Sequence, residues 1–406
     1  MPRKELILLM LLACVNFTHI MDFMIMMPLG PQFIRGFGVS PQQFGWMVSA
    51  YSFAAGLSGF MSAFFVDRFD RKRVLQIAYS GLVVATLACA FAPTYELLSA
   101  ARIVAGVFGG VLGSQVMSIV GDVIPYERRG RGMAVIQAAF SLASVVGVPF
   151  GLWLASRFSW HAPFVFVGCL GLINTLLIQF FVPPLTIHLQ NIIAKPHPFD
   201  IIKSIANHPK QQRALVLTSL MMIGHFSIIP FISPYLVANA GFSEKDIYLI
   251  YLVGGACTIF SSPLIGKLAD QYGKYRLFAI CAGLSLTTTF AITNLPSVPL
   301  YAVLIVSGFF FIFSGGRVIS SQAMLSSVVL PQNRGGFMSL NTAVMQFSSA
   351  MGSFVAGMIV QKAADGQLHN YQYVGFMAMA AMVCAIWIAR KLEPEKGDGV
   401  VNLTTK

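Results

Sequence analysis

The feature that most constrains this chain is a series of apolar runs, each about 20 residues long, that recurs along almost its whole length. A helix needs about 20 mostly apolar residues to cross the hydrocarbon core of a bilayer. Charged residues make up only 10% of the chain, against about 25% in soluble domains. The sequence therefore predicts an all-α membrane protein of twelve transmembrane helices, spans 1 to 12, near residues 6–29, 43–65, 74–92, 97–120, 133–156, 160–182, 213–237, 247–266, 277–295, 299–327, 336–361 and 370–391.

Basic residues are unevenly distributed over the loops between these spans. With the N-terminus in the cytoplasm, the cytoplasmic segments hold 21 of the 27 Lys and Arg residues, and the outer loops hold only Arg35, Arg157, Lys245 and Lys362. Such an excess marks the cytoplasmic side of a membrane. We therefore expect a bacterial inner-membrane protein with both termini in the cytoplasm. The net charge of +12 then reflects topology, and we expect a lipid bilayer as partner and no nucleic acid.

The two halves of the chain repeat one another. Asp67 and Asp270 lie in similar basic loops 203 residues apart, and Gly38-Val39-Ser40 recurs at the same offset as Gly241-Phe242-Ser243. An even number of helices in each half makes the repeats parallel, related by an axis along the membrane normal. We expect two pseudo-symmetric six-helix bundles.

A long polar and proline-rich stretch separates these halves. We expect an N-terminal bundle at 1–186, a cytoplasmic linker at 187–212, and a C-terminal bundle with a short tail at 213–406. The run 6–29 is longer than a signal-peptide core and lacks a cleavage site, so we expect it to remain as the first helix.

The loops around the two aspartates resemble a signature of the major facilitator superfamily, G-x-L-A-D-x-x-G-[RK]. The second half carries it intact, from Gly266 to Lys274, whereas the first half has Ala63 and Asp70 where the family has glycines. The resemblance implies two bundles that rock around a central cavity, with substrate bound near the midplane. It also implies a cytoplasmic charge cluster that latches one conformation, here Asp67, Arg71, Asp122, Asp270 and Lys274. Val328 stands where Asp122 would repeat, so we expect a one-sided cluster.

Span 5 contains the sequence Gly147-Val148-Pro149-Phe150-Gly151. It resembles the superfamily's antiporter motif in the form common in drug:proton antiporters and sugar-efflux-type permeases. The resemblance implies export and assigns Gly147, Pro149 and Gly151 to that motif.

Asp22 is the only one of the fifteen acidic residues well inside a span. An acid at the centre of a transmembrane helix costs about 2.5–3.5 kcal/mol on insertion scales. His19 and Asn16 lie one and two turns earlier on the same face, so this polar stripe must face the protein interior. One interpretation is a protonation site formed by Asp22 and His19, and the other is a structural polar contact between helices.

Arg102 of span 4 is the natural partner of this acid, within an Arg-x-x-x-Gly pattern that resembles the family's arginine motif. At about 1.5 Å per residue, Asp22 and Arg102 lie at similar depths below the outer surface. In the family, the matching arginine influences protonation of acids in the first helix. The alternative is that Arg102 extends to the outer headgroups.

Span 7 and span 10 offer His225 and Arg317 in the second half. Arg317 could hold an anionic group of a substrate or extend to the cytoplasmic headgroups, and His225 could be an interior histidine. Methionine and aromatic residues enrich span 1 and suit apolar ligands, although such residues also face lipid. The candidate cavity residues are Asn16, Phe23, Met26, Gln115, His225 and Arg317.

The sequence contains no phosphate-cradling Walker motif, and the spans contain no nucleophile–base pair or metal-ligand set. We therefore expect no enzyme, no metal and no cofactor, with a proton as the coupling ion. The favoured hypothesis is a monomeric proton-coupled exporter of a small organic compound. A symporter or uniporter for a nutrient, and a receptor or membrane enzyme, are the alternatives.

Overall fold

The computed structural model describes residues 2–186, 189, 203, 205, 207–328 and 334–392, and these residues are almost entirely helical. Twelve long helices match spans 1 to 12 in order, which confirms the predicted all-α fold. They are α1 (Arg3–Ile25), α2 (Pro41–Ser62), α3 (Arg71–Ala90), α4 (Tyr95–Val123), α5 (Tyr126–Leu142, Ala143–Gly147 and Val148–Arg157 in succession), α6 (His161–Phe181), α7 (Pro209–Ala238), α8 (Ile247–Tyr272), α9 (Lys274–Thr293), α10 (Leu300–Ser327), α11 (Arg334–Ile359) and α12 (Tyr371–Arg390). A two-residue antiparallel pair, Gln361–Lys362 with Leu368–His369, precedes α12.

Several predicted boundaries are wrong. Span 1 ends at Ile25 rather than at residue 29, because Pro28 cannot donate the next helical hydrogen bond. A separate short helix, Gly30–Gly36, follows it. α5 and α7 begin earlier than predicted, at Tyr126 and Pro209, because helical hydrogen bonds continue past the apolar run. The beginning of α7 thus occupies the end of the predicted linker, whose residues 187–206 lie mostly outside the described residues, as does the tail from 393.

α2 differs from the other long helices in its composition. Eleven helices among the described residues are long and apolar enough to cross a membrane on those grounds alone, and α2 is absent from them. Its glycines and serines lower its hydropathy, but they also let it pack between α4 of its own half and α11 of the other half. A Cβ on Gly106 or Gly110 of α4 would overlap backbone carbonyl oxygens of α2. α2 is therefore surrounded by protein more than by lipid.

The two halves meet closely at the ends of α2 and α11 that lie opposite the chain termini. Gly45 of α2 and Gly357 of α11 touch through their backbones, since a Cβ added to Gly45 would lie 2.8 Å from the Cα of Gly357. Phe44 packs edge-on against Phe231 of α7 with centroids 5.7 Å apart. These contacts close one end of the interface between the halves, the end opposite the chain termini.

Two loops on this side show why the repeated Gly-x-Ser sequences recur. Gly38 and Gly241 both have positive φ, 66° and 71°, a conformation that glycine adopts without steric cost. Ser40 then caps α2 by accepting a hydrogen bond from the Gln43 amide, and Ser243 accepts one from the Lys245 amide. The repeat in sequence is thus a repeat in turn geometry.

Candidate functional site

A buried ion pair lies at the centre of the N-terminal half. The carboxylate of Asp22 in α1 accepts a hydrogen bond of 2.8 Å from Nη1 of Arg102 in α4, at its Oδ2. Thr86 of α3 donates to the other carboxylate oxygen at 2.9 Å. The two charged side chains are 0% and 1% exposed. Asp22 therefore joins three helices, and the depths predicted from sequence place these residues correctly.

Two further side chains enclose this pair. The guanidinium of Arg102 lies over the ring of Tyr51 in α2, 4.3 Å from its centroid, which is a cation–π contact. Gly109 of α4 makes room for Tyr51 and His19, because a Cβ there would lie 2.5 Å from the Tyr51 hydroxyl and 3.0 Å from Nε2 of His19. His19 is therefore placed beside the ion pair, as the polar stripe on α1 predicted.

The remaining predicted cavity residues of this half have different surroundings. Asn16 donates to the Ile136 carbonyl at 3.0 Å, which joins α1 to α5. Gln115 is buried with its side-chain oxygen unpaired. Met26 is buried in the apolar core together with Phe44 and Phe231, so it lies near the closed contacts between the halves rather than beside the ion pair.

The C-terminal half holds a second buried cation. Nη2 of Arg317 in α10 lies 3.1 Å from Nδ1 of His225 in α7, and Nη1 donates to the Ser285 hydroxyl in α9 at 3.3 Å. Arg317 is 4% exposed, and its Nε has no hydrogen-bond partner. The interpretation that Arg317 extends to the headgroups is therefore wrong, because its head group is enclosed among three helices.

Aromatic rings connect the two sites across the interface between the halves. The ring of Phe23 in α1 lies 5.3 Å from that of Tyr51 and 5.9 Å from that of Phe226 in α7. Phe226 in turn lies 5.4 Å from the ring of His225. These contacts form a continuous row of aromatic rings between the surroundings of Arg102 and those of Arg317.

Four residues of these sites were not predicted from the sequence: Thr86, Tyr51, Phe226 and Ser285. Hydroxyl and aromatic residues recur throughout the spans, and no spacing distinguishes these four. Only the packing of α2, α3, α7 and α9 against the charged residues identifies them.

A sequence model of the Major Facilitator Superfamily matches the chain twice, over residues 12–221 and 214–403. The chain belongs to the Major Facilitator Superfamily. Among its relatives in the superfamily, the MFS-type transporter YceJ of Bacillus subtilis is 26% identical over 341 residues, covering 84% of this chain and 86% of that protein. A probable sugar efflux transporter of Mannheimia succiniciproducens is 23% identical over 349 residues, covering 84% and 83%.

Solved superfamily structures show the same fold. A D-xylose–proton symporter superposes with a TM-score of 0.76 at 17% identity, covering 97% of this chain and 99% of that one. The superfamily match and this fold show a multi-pass membrane transporter. The superfamily resemblance inferred from the two loop motifs is confirmed.

The superfamily's loop motif forms a charge cluster in the first half. Arg71 contacts Asp67 at 2.6 Å and Asp122 at 3.0 Å. In the second half, Lys274 donates to the Ala323 carbonyl at 3.3 Å. In the described part of the chain no ion pair includes Asp270. The arrangement agrees with a one-sided cluster, whose role as a latch stays a prediction.

Asp70 shows what replaces the missing glycine of this motif. In the second half Gly273 adopts a φ of 96°, whereas Asp70 has a φ of −55° and caps α3 instead. Its carboxylate accepts hydrogen bonds from the amides of Lys72 at 2.9 Å and Leu185 at 2.8 Å. The first half therefore uses a side chain to hold the segment after α6 against this loop.

The antiporter motif lies where α5 changes its winding. Residues Ala143–Gly147 form a π-helical turn just before Pro149, whose ring cannot continue a regular α-helix. A Cβ on Gly147 would lie 3.2 Å from the Phe17 ring, and one on Gly151 would lie 2.8 Å from Ile25. The motif glycines thus bring α5 close to α1, the helix that carries Asp22.

Proposed function

We propose that this protein is a proton-coupled exporter of a small organic compound that works by alternating access. The observation that carries the proposal is the enclosed pair of Asp22 and Arg102, with His19 beside it. A carboxylate in apolar surroundings is costly, so a helix without a need for this charge would more simply carry an apolar residue there. A proton that reaches Asp22 would remove its charge and release Arg102 from the pair.

Outward direction is supported by two observations. The motif with Gly147, Pro149 and Gly151 resembles that of exporters, and one relative is named a probable sugar efflux transporter. With the proposed orientation, in which both termini are cytoplasmic, the contacts of Gly45 with Gly357 and of Phe44 with Phe231 lie on the outer side, and the substrate would enter from the cytoplasm in this conformation. The proposal includes a monomer in the bacterial inner membrane with both termini in the cytoplasm.

The test is transport in sealed proteoliposomes with an imposed pH gradient. For the proposed exporter, a proton gradient directed against substrate movement should drive the substrate uphill. Asp22→Asn should abolish this uphill transport while the protein still folds, because the amide keeps the shape of the side chain but cannot exchange a proton at this pH. Asp365→Asn, which changes an exposed loop acid, is the matched control and should transport normally.

Uphill transport by Asp22→Asn would show that Asp22 is not the coupling site. Absence of pH-driven flux in the wild-type protein, with facilitated flux preserved, would indicate a uniporter. A ligand that binds without crossing the membrane would indicate a receptor.

Proton-coupled cotransport is the second candidate, and Arg317 is the specific observation that favours it. Arg317 carries a positive charge without a carboxylate partner in the described chain. If Asp22 becomes protonated, Arg102 also loses its counter-charge, and the cavity then attracts an anion more strongly. The direction of the pH gradient that accelerates flux separates the two candidates.

A further inference from the structure

The charges within the spans do not balance. Asp22 and Arg102 neutralise each other across 2.8 Å. Arg317 is the remaining charged side chain away from the ends of the spans, and no acid in the spans of the second half can compensate it. A buried cation without a counter-ion is unfavourable in a low-dielectric interior. The protein core therefore carries one positive charge that an additional group could neutralise.

The neighbours of Arg317 hold its guanidinium through neutral groups. A guanidinium can only donate, so Nδ1 of His225 must accept at 3.1 Å, which requires a neutral ring with its proton on Nε2. Ser285 accepts from Arg317 at 3.3 Å and donates onward to the Ala282 carbonyl at 2.7 Å. These contacts orient the guanidinium without neutralising it, and its Nε remains without a partner.

Two buried hydroxyl groups flank Arg317 on the same helix. Ser314 and Ser320 are 3% and 0% exposed, and neither hydroxyl has a hydrogen-bond partner. Residues three apart on a helix are neighbours on its surface. Buried hydroxyls normally find a partner, so α10 offers unused donors one turn before and one turn after its unpaired cation.

An apolar wall lies next to this polar group. The ring of Phe310 in α10 stacks parallel to that of His225, with centroids 6.4 Å apart. The ring of Phe226 contacts both His225 and Phe23 of the other half. A ligand that binds both the guanidinium of Arg317 and these aromatic rings has an anionic end and an apolar body.

We propose that Arg317, supported by His225 and by the hydroxyls of Ser314 and Ser320, binds the anionic group of the transported compound, which makes the substrate class apolar organic anions such as aryl carboxylates. The inference rests on the proposed transport function and does not depend on its direction. If the anion is exchanged for a proton, simultaneous binding of the proton and the anion cannot be prevented by charge repulsion, because their charges are opposite. The exclusion must then come from the conformational cycle.

Binding selectivity tests the inference separately from transport. We suggest thermal unfolding and fluorescence titration of the purified protein with matched acids and neutral amides: benzoate with benzamide, phenylacetate with phenylacetamide, and cinnamate with cinnamamide. The wild-type protein should bind at least one acid about tenfold or more tightly than its amide, because hydrogen bonds to charged groups contribute about 1.5–3 kcal/mol.

Two substitutions of Arg317 and one control substitution test whether Arg317 causes the preference for acids over amides. Arg317→Gln should remove it, Arg317→Lys should keep part of it, and Arg157→Gln, the same change at an exposed outer-loop site, should leave it intact. If Arg317→Gln does not fold, Arg317→Lys and the wild-type comparison still decide, because a lysine should weaken acid binding and leave amide binding unchanged. The inference is overturned if no acid binds better than its amide, or if Arg317→Gln keeps the preference. Acid-selective binding without pH-driven flux would support it and contradict the proposed proton coupling alone.

Discussion

Burying a carboxylate and a guanidinium together removes both from water, and the loss of hydration largely offsets their attraction. The pair of Asp22 and Arg102 is therefore a poor source of stability, although removal of one partner leaves the other charged and enclosed. Two neighbouring side chains also contact the charged groups: Thr86 donates a hydrogen bond to the carboxylate, and the ring of Tyr51 covers the guanidinium. The proposed proton coupling gives Asp22 and Arg102 a role that their contribution to stability does not.

Arg102→Met should lower the free energy of unfolding by about 3–5 kcal/mol, because Asp22 would remain buried without its partner. The double variant Asp22→Asn/Arg102→Met should recover a large part of this loss, since no buried charge remains. Thermal unfolding in detergent measures both, with Arg157→Met as the control at an exposed site. Additive effects of the two substitutions would contradict a direct interaction.

The sequence could predict this pair and His19 beside it, but not the residues that the other helices contribute. Asp22 is the only acid deep in a span, and the depths of Asp22 and Arg102 follow from helix geometry, so the sequence alone suffices to match the two residues. Tyr51 and Thr86 could not be identified, because their roles depend on how α2 and α3 rotate about their axes. That rotation is set by side-chain packing over the whole bundle.

At the level of helices, the closed contact between α2 and α11 depends on two glycines. The backbones of α2 and α11 touch at Gly45 and Gly357, and a methyl group on Gly357 would lie 3.0 Å from the Cα of Gly45 and 3.1 Å from the Pro41 carbonyl. Backbone atoms cannot move aside as a flexible side chain can. The contact therefore forms only if both positions lack a side chain.

Gly357→Ala should shift the protein away from the conformation with a closed outer side. Phe231→Cys, placed at the closed contact in a background without native cysteines, should then react several-fold faster with a membrane-impermeant maleimide added outside. Gly283→Ala is the control, because a Cβ there has no atom within 4 Å. Equal labelling rates in the two variants would show that this contact does not determine closure.

The charge cluster of Asp67, Arg71 and Asp122 should affect the transport rate more than the ligand affinity. Asp67 pairs with Arg71 at the loop between α2 and α3, away from the two buried arginines, so Asp67→Asn should slow turnover several-fold and change ligand affinity little. Asp270→Asn should have the weaker effect, because Asp270 forms no ion pair among the described residues. Transport rates and binding constants of both variants check this, and equal effects would contradict a one-sided latch.

For the helices, composition was sufficient to predict their positions in the chain, but not their exact ends or their irregular turns. Apolar length located all twelve helices, but it could not place the end of α1 at Ile25 or the π-helical turn at Ala143–Gly147. Both features occur next to prolines, Pro28 and Pro149. A proline in the sequence indicates that the helix is interrupted nearby, but the packing of neighbouring helices determines whether the helix ends or changes its winding.

For the molecule as a whole, the charge that crosses the membrane in each cycle follows from the two proposals together. Exchange of one inward proton for one outward monovalent anion moves two positive charges inward, and each gains about 2.3 kcal/mol per 100 mV. Cotransport of the same two ions moves none. The membrane potential therefore distinguishes two mechanisms that use the same residues.

With equal pH on both sides of a proteoliposome, a potential that is negative on the side from which the anion leaves should accelerate export several-fold. A potassium diffusion potential set by valinomycin and an aryl carboxylate as the probe make this measurable. Asp22→Asn should lose the part of the voltage dependence that the proton contributes. A rate independent of voltage would contradict one-for-one exchange and indicate cotransport.

The complete enclosure of Asp22 has a consequence for timing. Its side chain has no exposed surface and both carboxylate oxygens already accept hydrogen bonds. Protein encloses the carboxyl in this conformation, so in the proposed cycle Asp22 exchanges a proton only after its pair with Arg102 opens. The dwell time of the closed state would then limit how often Asp22 exchanges protons with either compartment.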